Sequence, residues 1–157
     1  MKQYYLFVFF SILFAGTIKS QSNKTAEGPF SQLIIRGAIL INGNGAPPIG
    51  PVDITVENDR ITAITVVGYP GVAIQESRRP FLNNEGKEID ATGMYILPGF
   101  IDMHGHIGGD SQGADWDYVF KLWLAHGITT IREPSGRGLA YALDLKQRSI
   151  KNEIIAP

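Results

Sequence analysis

Polar and apolar positions follow three rhythms along the chain. The first is a continuous apolar run from Tyr4 to Ala15, behind Met1 and Lys2 and ahead of Ser20-Gln21. A positive start, an apolar stretch too short to span a bilayer and a small residue at the exit make the pattern of a cleaved export signal over residues 1–20. The second rhythm is alternation. Leu33 to Arg36 and Ala38 to Ile41 read as strand, and Asn42-Gly43-Asn44-Gly45-Ala46-Pro47-Pro48 is a run of turn residues. Asp53 to Val56 alternates, Asn58-Asp59 supplies a two-residue turn, and Arg60 to Val67 resumes the alternation, a hairpin signal. The phase slips near Ala63-Ile64, the mark of a bulge. Residues 68–88 are irregular and polar, and read as a long surface loop in which Arg78-Arg79 is solvated. Ile89 to Ala91 is a short strand and Thr92-Gly93 a turn. Residues 32–97 thus predict half of a small antiparallel β domain.

After Pro98 the period lengthens. Phe100 to His106 predicts a strand. Trp116, Val119, Phe120, Trp123 and Leu124 recur at spacings of three and four, one apolar face of a helix. Ser111 or Asp115 is its candidate N-cap and Gly127 its terminator. Ile128 to Arg132 predicts a second strand and Leu139 to Arg148 a second helix. Ile154-Ile155 reads as the opening of a third strand. Strand alternating with helix is the pattern of a parallel sheet covered by helices.

Composition narrows the chemistry. The 157 residues carry 14 basic and 15 acidic side chains, with no basic cluster to suggest a nucleic-acid partner. Cysteine is absent, so disulfides and thiolate metal sites are excluded. A transition metal would need imidazole or carboxylate ligands, and the histidines are His104, His106 and His126. On the expected strand, residues 102, 104 and 106 face one way, with Gly105 leaving the opposite face uncrowded. Two imidazoles at that spacing can converge on one ion, at the strand end where α/β enzymes place their sites. An isolated His-x-His pair is a weak signal; one that ends an apolar strand and precedes a helix and a second parallel strand is stronger. Asp102 is either a partner that orients a ligand or a buried structural carboxylate. Arg132 and Glu133, at the end of the second strand, either orient substrate or pair with each other across the rim. His126 reads as a structural residue at a helix C-terminus, Asp110, Asp115 and Asp117 as loop and helix-start acids, and Trp116 and Trp123 as helix-face core.

The segment GMYILPGFIDMHGH (residues 93–106) resembles the first barrel strand of the amidohydrolase superfamily. LIIRGAILINGNG and VDITVENDRITAI resemble that family's N-terminal β segment. LAHGITTIRE resembles its second strand, in the branch of imidazolonepropionases and Xaa-Pro dipeptidases. The resemblance runs over about residues 32–157. It implies an α/β fold: part of a β-sandwich over residues 21–97 and the first βα units of a metal-dependent (β/α)₈ barrel over 98–157. It implies one or two divalent metals, often zinc, with His104 and His106 as first ligands and the remaining ligands on later strands. It implies hydrolysis of an amide, dipeptide or cyclic amide C–N bond. The export signal, read from residues 1–20, predicts a secreted or periplasmic protein that meets the membrane only through that signal. A lactonase or phosphotriesterase on the same scaffold is the alternative enzyme. The other alternative is a truncated, inactive fragment. A whole barrel takes roughly 250 residues, so this chain by itself is expected to leave a bare sheet edge, to lack activity, and to fold poorly unless copies associate.

Overall fold

The structure is a computed structural model, and it describes residues 27–134 and 138–157. The expected export signal, residues 1–20, lies outside them. Five strands form one mixed sheet: β1 (Gln32–Leu40), β2 (Ile49–Glu57), β3 (Arg60–Val66), β4 (Lys87–Asp90) and β5 (Tyr95–Ile96). The order is β3-β2-β1-β4, with β5 also paired to β1. β2 pairs antiparallel with β1 and β3, but β4 and β5 run parallel to β1. The expectation of antiparallel pairing throughout is therefore corrected for this half. The reason is the long connection of residues 67–86, which returns the chain to the starting end of β1, as a tight hairpin cannot.

The β2–β3 hairpin forms on its expected turn. Glu57 faces Arg60, and Asn58 takes a left-handed φ of 54°. The slip falls just before the expected position: Thr55 faces Ala63 and Val56 faces Ile61, so Thr62 is the extra residue. In the turn run, Asn42 Oδ1 accepts from the Asn44 N–H and Asn44 Oδ1 from the Ala46 N–H, two Asx turns in succession. One face of the sheet buries Leu40, Val52 and Ile54 against Ile35, Val56, Val66 and Ile96.

The other face is organised by a charge. Asp53 is fully buried. Its Oδ1 accepts the Gly37 N–H at 2.9 Å, and Oδ2 lies 3.2 Å from an Arg36 guanidinium nitrogen and 3.9 Å from Arg79 Nε. Gly37, φ +75°, is where β1 bulges: Ile35 faces Ile54 while Ala38 faces Val52. The carboxylate takes the N–H that the bulge frees from the ladder. Arg36 also binds Glu88 at 2.7 Å and donates to the Pro80 carbonyl. Burial alone would lower its pKa, but Glu88 and then Asp53 hold it above the ordinary value. Arg79, expected in solvent, is largely covered over Asp53, whereas Arg78 is exposed. Residues 68–86 are thus a lid on this sheet face, including a 3₁₀ turn at Glu76–Arg78.

The second half begins with β6 (Phe100–Asp102), continues through α1 (Trp116–Ala125) to β7 (Ile128–Ile131), and ends with α2 (Leu139–Ile150). β6 and β7 are parallel, so β6-α1-β7 is the expected crossover unit. Asp115 caps α1 by accepting the Asp117 N–H, and Gly127 follows the helix with φ +77°. Ile107, Phe120 and Leu145 are buried together, with Trp116, Trp123, Ile131 and Ala142 around them. Trp116 meets Phe120 edge-on at 5.8 Å and carries the Arg148 guanidinium over its ring at 5.0 Å. The third strand does not form. Ile154 and Ala156 turn onto this cluster, and no ladder partner is present among the described residues. Phe100, Ile101 and Met103 on and after β6 are 60, 63 and 61% exposed. No helix among the described residues is long and apolar enough to cross a membrane.

Replacing Asp53 by Ala strands both the Gly37 N–H and the Arg36 charge. Breaking a buried pair costs about 3–5 kcal/mol, so amides of β1 and β2 in Asp53→Ala will lose most of their hydrogen-exchange protection. Asp53→Asn keeps an acceptor for Gly37 and will lose less. Equal protection in all three proteins would contradict this account.

Candidate metal and catalytic site

β6 is shorter than expected. It ends at Asp102, and its geometry explains the change. Arg132 donates its N–H to the Asp102 carbonyl at 2.8 Å and accepts from the Gly105 N–H at 3.0 Å. A regular parallel ladder has one residue between those two points; here Met103 and His104 both stand there, a bulge. The Asp102 carboxylate turns back to accept the His104 N–H at 2.8 Å. The simple alternation that placed residues 102, 104 and 106 on one strand face is therefore broken at Met103-His104.

The two imidazoles nevertheless meet. The rings of His104 and His106 have centres 5.4 Å apart and planes at 85°. Both residues are exposed at the C-terminal end of β6. Gly105 between them is buried, and a Cβ there would lie 3.2 Å from Ile131 Cβ and 3.5 Å from the Trp123 ring. A side chain there would crowd β7, and glycine lets the segment lie this close to it.

Three contacts hold His106. Its Nδ1 lies 3.2 and 3.3 Å from the two carboxylate oxygens of Glu133. Glu133 also accepts the Ile107 N–H at 3.1 Å, and its side chain is 12% exposed. The Trp123 indole N–H donates to the His106 carbonyl at 3.2 Å. Glu133, expected either to orient substrate or to pair with Arg132 across the rim, stands beside His106; this follows from parallel pairing, because a residue just past the end of β7 lies beside the residues just past the end of β6. Arg132 joins the same end through its backbone. Asp102 meets the backbone of His104. His126 caps α1, its Nδ1 2.8 Å from the Leu122 carbonyl.

Two imidazoles bound at a tetrahedral angle to one zinc, with Zn–N near 2.0–2.1 Å, have ring centres roughly 5 Å apart. The His104–His106 pair fits that spacing. A catalytic zinc takes three protein ligands, and no group of three or more His, Cys, Asp or Glu among the described residues is placed to hold a metal. The described residues thus bring together two donors.

Several solved structures share this fold. A prolidase complexed with N-methylphosphonate-L-proline is 16% identical, with a TM-score of 0.58 over 80% of this chain and 30% of that one. Molinate hydrolase is 21% identical, with a TM-score of 0.57 over 81% and 28%. Phenylurea hydrolase B is 18% identical, with a TM-score of 0.57 over 80% and 29%. The fold is similar to that of part of these hydrolase structures and of a solved amidohydrolase. The chain spans about 30% of the length of these amidohydrolase-type structures. No protein-family model matches the chain, and no curated protein matches it closely.

Because Gly105 is wedged between Ile131 and Trp123, Gly105→Ala will push the His-bearing segment off β7. Overpacking of this kind costs about 1–3 kcal/mol. The Trp123 indole N–H, which depends on the His106 carbonyl, will exchange faster and shift in the proton spectrum. An unmoved indole resonance would show that the contact tolerates a methyl group.

Proposed function

We propose that this chain belongs to a metal-dependent hydrolase of C–N bonds in amides, dipeptides or cyclic amides, with His104 and His106 as two of the metal's ligands. One observation carries the reading: two exposed imidazoles stand 5.4 Å apart at the C-terminal end of β6, in a fold shared with a prolidase, a molinate hydrolase and a phenylurea hydrolase. Barrels and open α/β sheets gather their chemistry at that end. When bound, a divalent cation supplies Lewis acidity and water acidic enough to ionise near neutral pH. Zinc suits a site of imidazoles without thiolates. The chain's own residues hold and aim. His104 and His106 present ring nitrogens, Asp102 fixes the turn under His104, and Arg132 at the same rim orients the substrate. In the reaction water adds across the C–N bond, leaving a carboxyl group on carbon and a proton on the departing nitrogen. The third ligand and the proton-moving acid come from outside the described residues. The apolar run near the N-terminus supports export to the periplasm or beyond.

Calorimetric titration of the full chain with zinc tests the ligand assignment. His104→Ala and His106→Ala will each weaken binding by at least the roughly 10–100-fold that follows loss of a partner outside the ligand set. His126→Ala will leave binding unchanged. Zinc uptake that ignores His104 and His106 would remove the reading. Export predicts a mature protein that begins near Gln21, which N-terminal sequencing of the exported product reads directly.

A further inference from the structure

The carboxylate beside His106 has a more specific task than closing a rim. We infer that Glu133 is a positioning residue that fixes the His106 ring with its proton on Nδ1, so that Nε2 carries the free lone pair and faces outward. The inference rests on the proposed ligand role of His106 for its purpose, and on geometry for its content.

The geometry is unusually restrictive for an exposed ring. Both Glu133 oxygens lie within 3.3 Å of Nδ1, so either can accept a proton from it. A carboxylate only accepts, which makes Nδ1 the protonated nitrogen when the imidazole is neutral. Glu133 is itself fixed, since one oxygen also takes the Ile107 N–H. It is 12% exposed while His106 is 46% exposed, so the carboxylate approaches from the protein side and the far edge of the ring meets solvent. The backbone beneath cannot rotate to relieve this. The Gly105 N–H is bound to Arg132, the His106 carbonyl to Trp123, and Ile107 is buried. A ligating imidazole whose second nitrogen donates to a carboxylate gains basicity and a fixed orientation. Among the described residues the His104 ring meets that of His106 and no carboxylate, so the two donors differ: one is held by a carboxylate, the other by the turn at Asp102.

Long-range proton–nitrogen correlation spectra of the full chain at neutral pH, without metal, read the tautomer directly. The His106 Nδ1 resonance is expected in the protonated range and Nε2 in the lone-pair range. In Glu133→Ala the two states will average, and zinc affinity will fall roughly 10–100-fold. Glu133→Gln, which keeps one accepting oxygen, will retain much of the tautomer bias. Circular dichroism of each variant identifies any that fails to fold, and the unmodified chain alone still decides the matter. An Nε2-protonated His106 in the unmodified chain would overturn the inference, as would a folded Glu133→Ala protein with tautomer and zinc affinity intact. If zinc fails to bind while the Glu133-dependent tautomer is present, the ligand reading falls and the positioning contact stands.

Discussion

A buried carboxylate opposite an interrupted strand holds the first half of the molecule together. Strand β1 must serve two partners in succession. Its early residues pair with β4 and its later residues with β5, and the change comes around Gly37, between Arg36 opposite Asp90 and Ile39 opposite Tyr95. The bulge that allows the change leaves an N–H without a ladder partner, and Asp53 on β2 supplies one. The Asp90-Thr92 turn then packs against Gly37 so closely that a Cβ there would lie 2.7 Å from the Thr92 hydroxyl. Thr92 in turn bonds Asp90, through its hydroxyl and then its N–H, and holds that carboxyl below its usual pKa. An unpaired charge on buried Asp53 would cost several kcal/mol. Arg36 and Arg79 answer it, and that is why a polar loop closes over the sheet.

The same device appears a second time, at the candidate site. Strand β6 also bulges, at Met103-His104, and carboxylates again take the freed amides: Asp102 that of His104, and Glu133 that of Ile107. The two cases differ in burial. Asp53 is sealed in and serves the fold. At the end of β6 the sealed groups are Gly105 and Ile107, and the histidine between them is turned outward. A bulge beside a strand end re-aims a side chain without disturbing the strand before it. Here it separates His104 from the regular alternation and brings its ring edge-on to that of His106.

Much of this was legible in residue order, for identifiable reasons. The Asn58-Asp59 hairpin, the Asp115 cap, the Trp116-Phe120-Trp123 face and the Gly127 stop each rest on local rules involving residues a few positions apart. The His-Gly-His pair was visible because it is contiguous. What escaped depends on partners distant in sequence. The parallel placement of β4 and β5 is decided by a connection that carries no periodicity. Arg79 looks like solvated surface until Asp53, 26 positions earlier, is known to be buried beneath it. The end of β6 at Asp102 turns on a single side-chain hydrogen bond that competes with the ladder, a competition Asp wins often and alternation cannot register. Glu133 could have been placed: once β6 and β7 are taken as parallel neighbours, the residues just past their ends must adjoin.

The site is consequently only as rigid as the packing beneath it. Ile107 is the residue through which the His-bearing segment enters the core, where it meets Phe120 of α1 and Leu145 of α2. Trp123, also on α1, grips the His106 carbonyl from the other side. Both helices therefore bear on the position of one exposed ring, α1 through a hydrogen bond and an aromatic contact and α2 through apolar burial. Ring orientation in such an arrangement is set by close-packed neighbours that do not move independently. A ring presented this way has little freedom left to lose, because its backbone and one of its nitrogens are already committed. That is the physical advantage of placing the histidine between two buried residues instead of on a free loop.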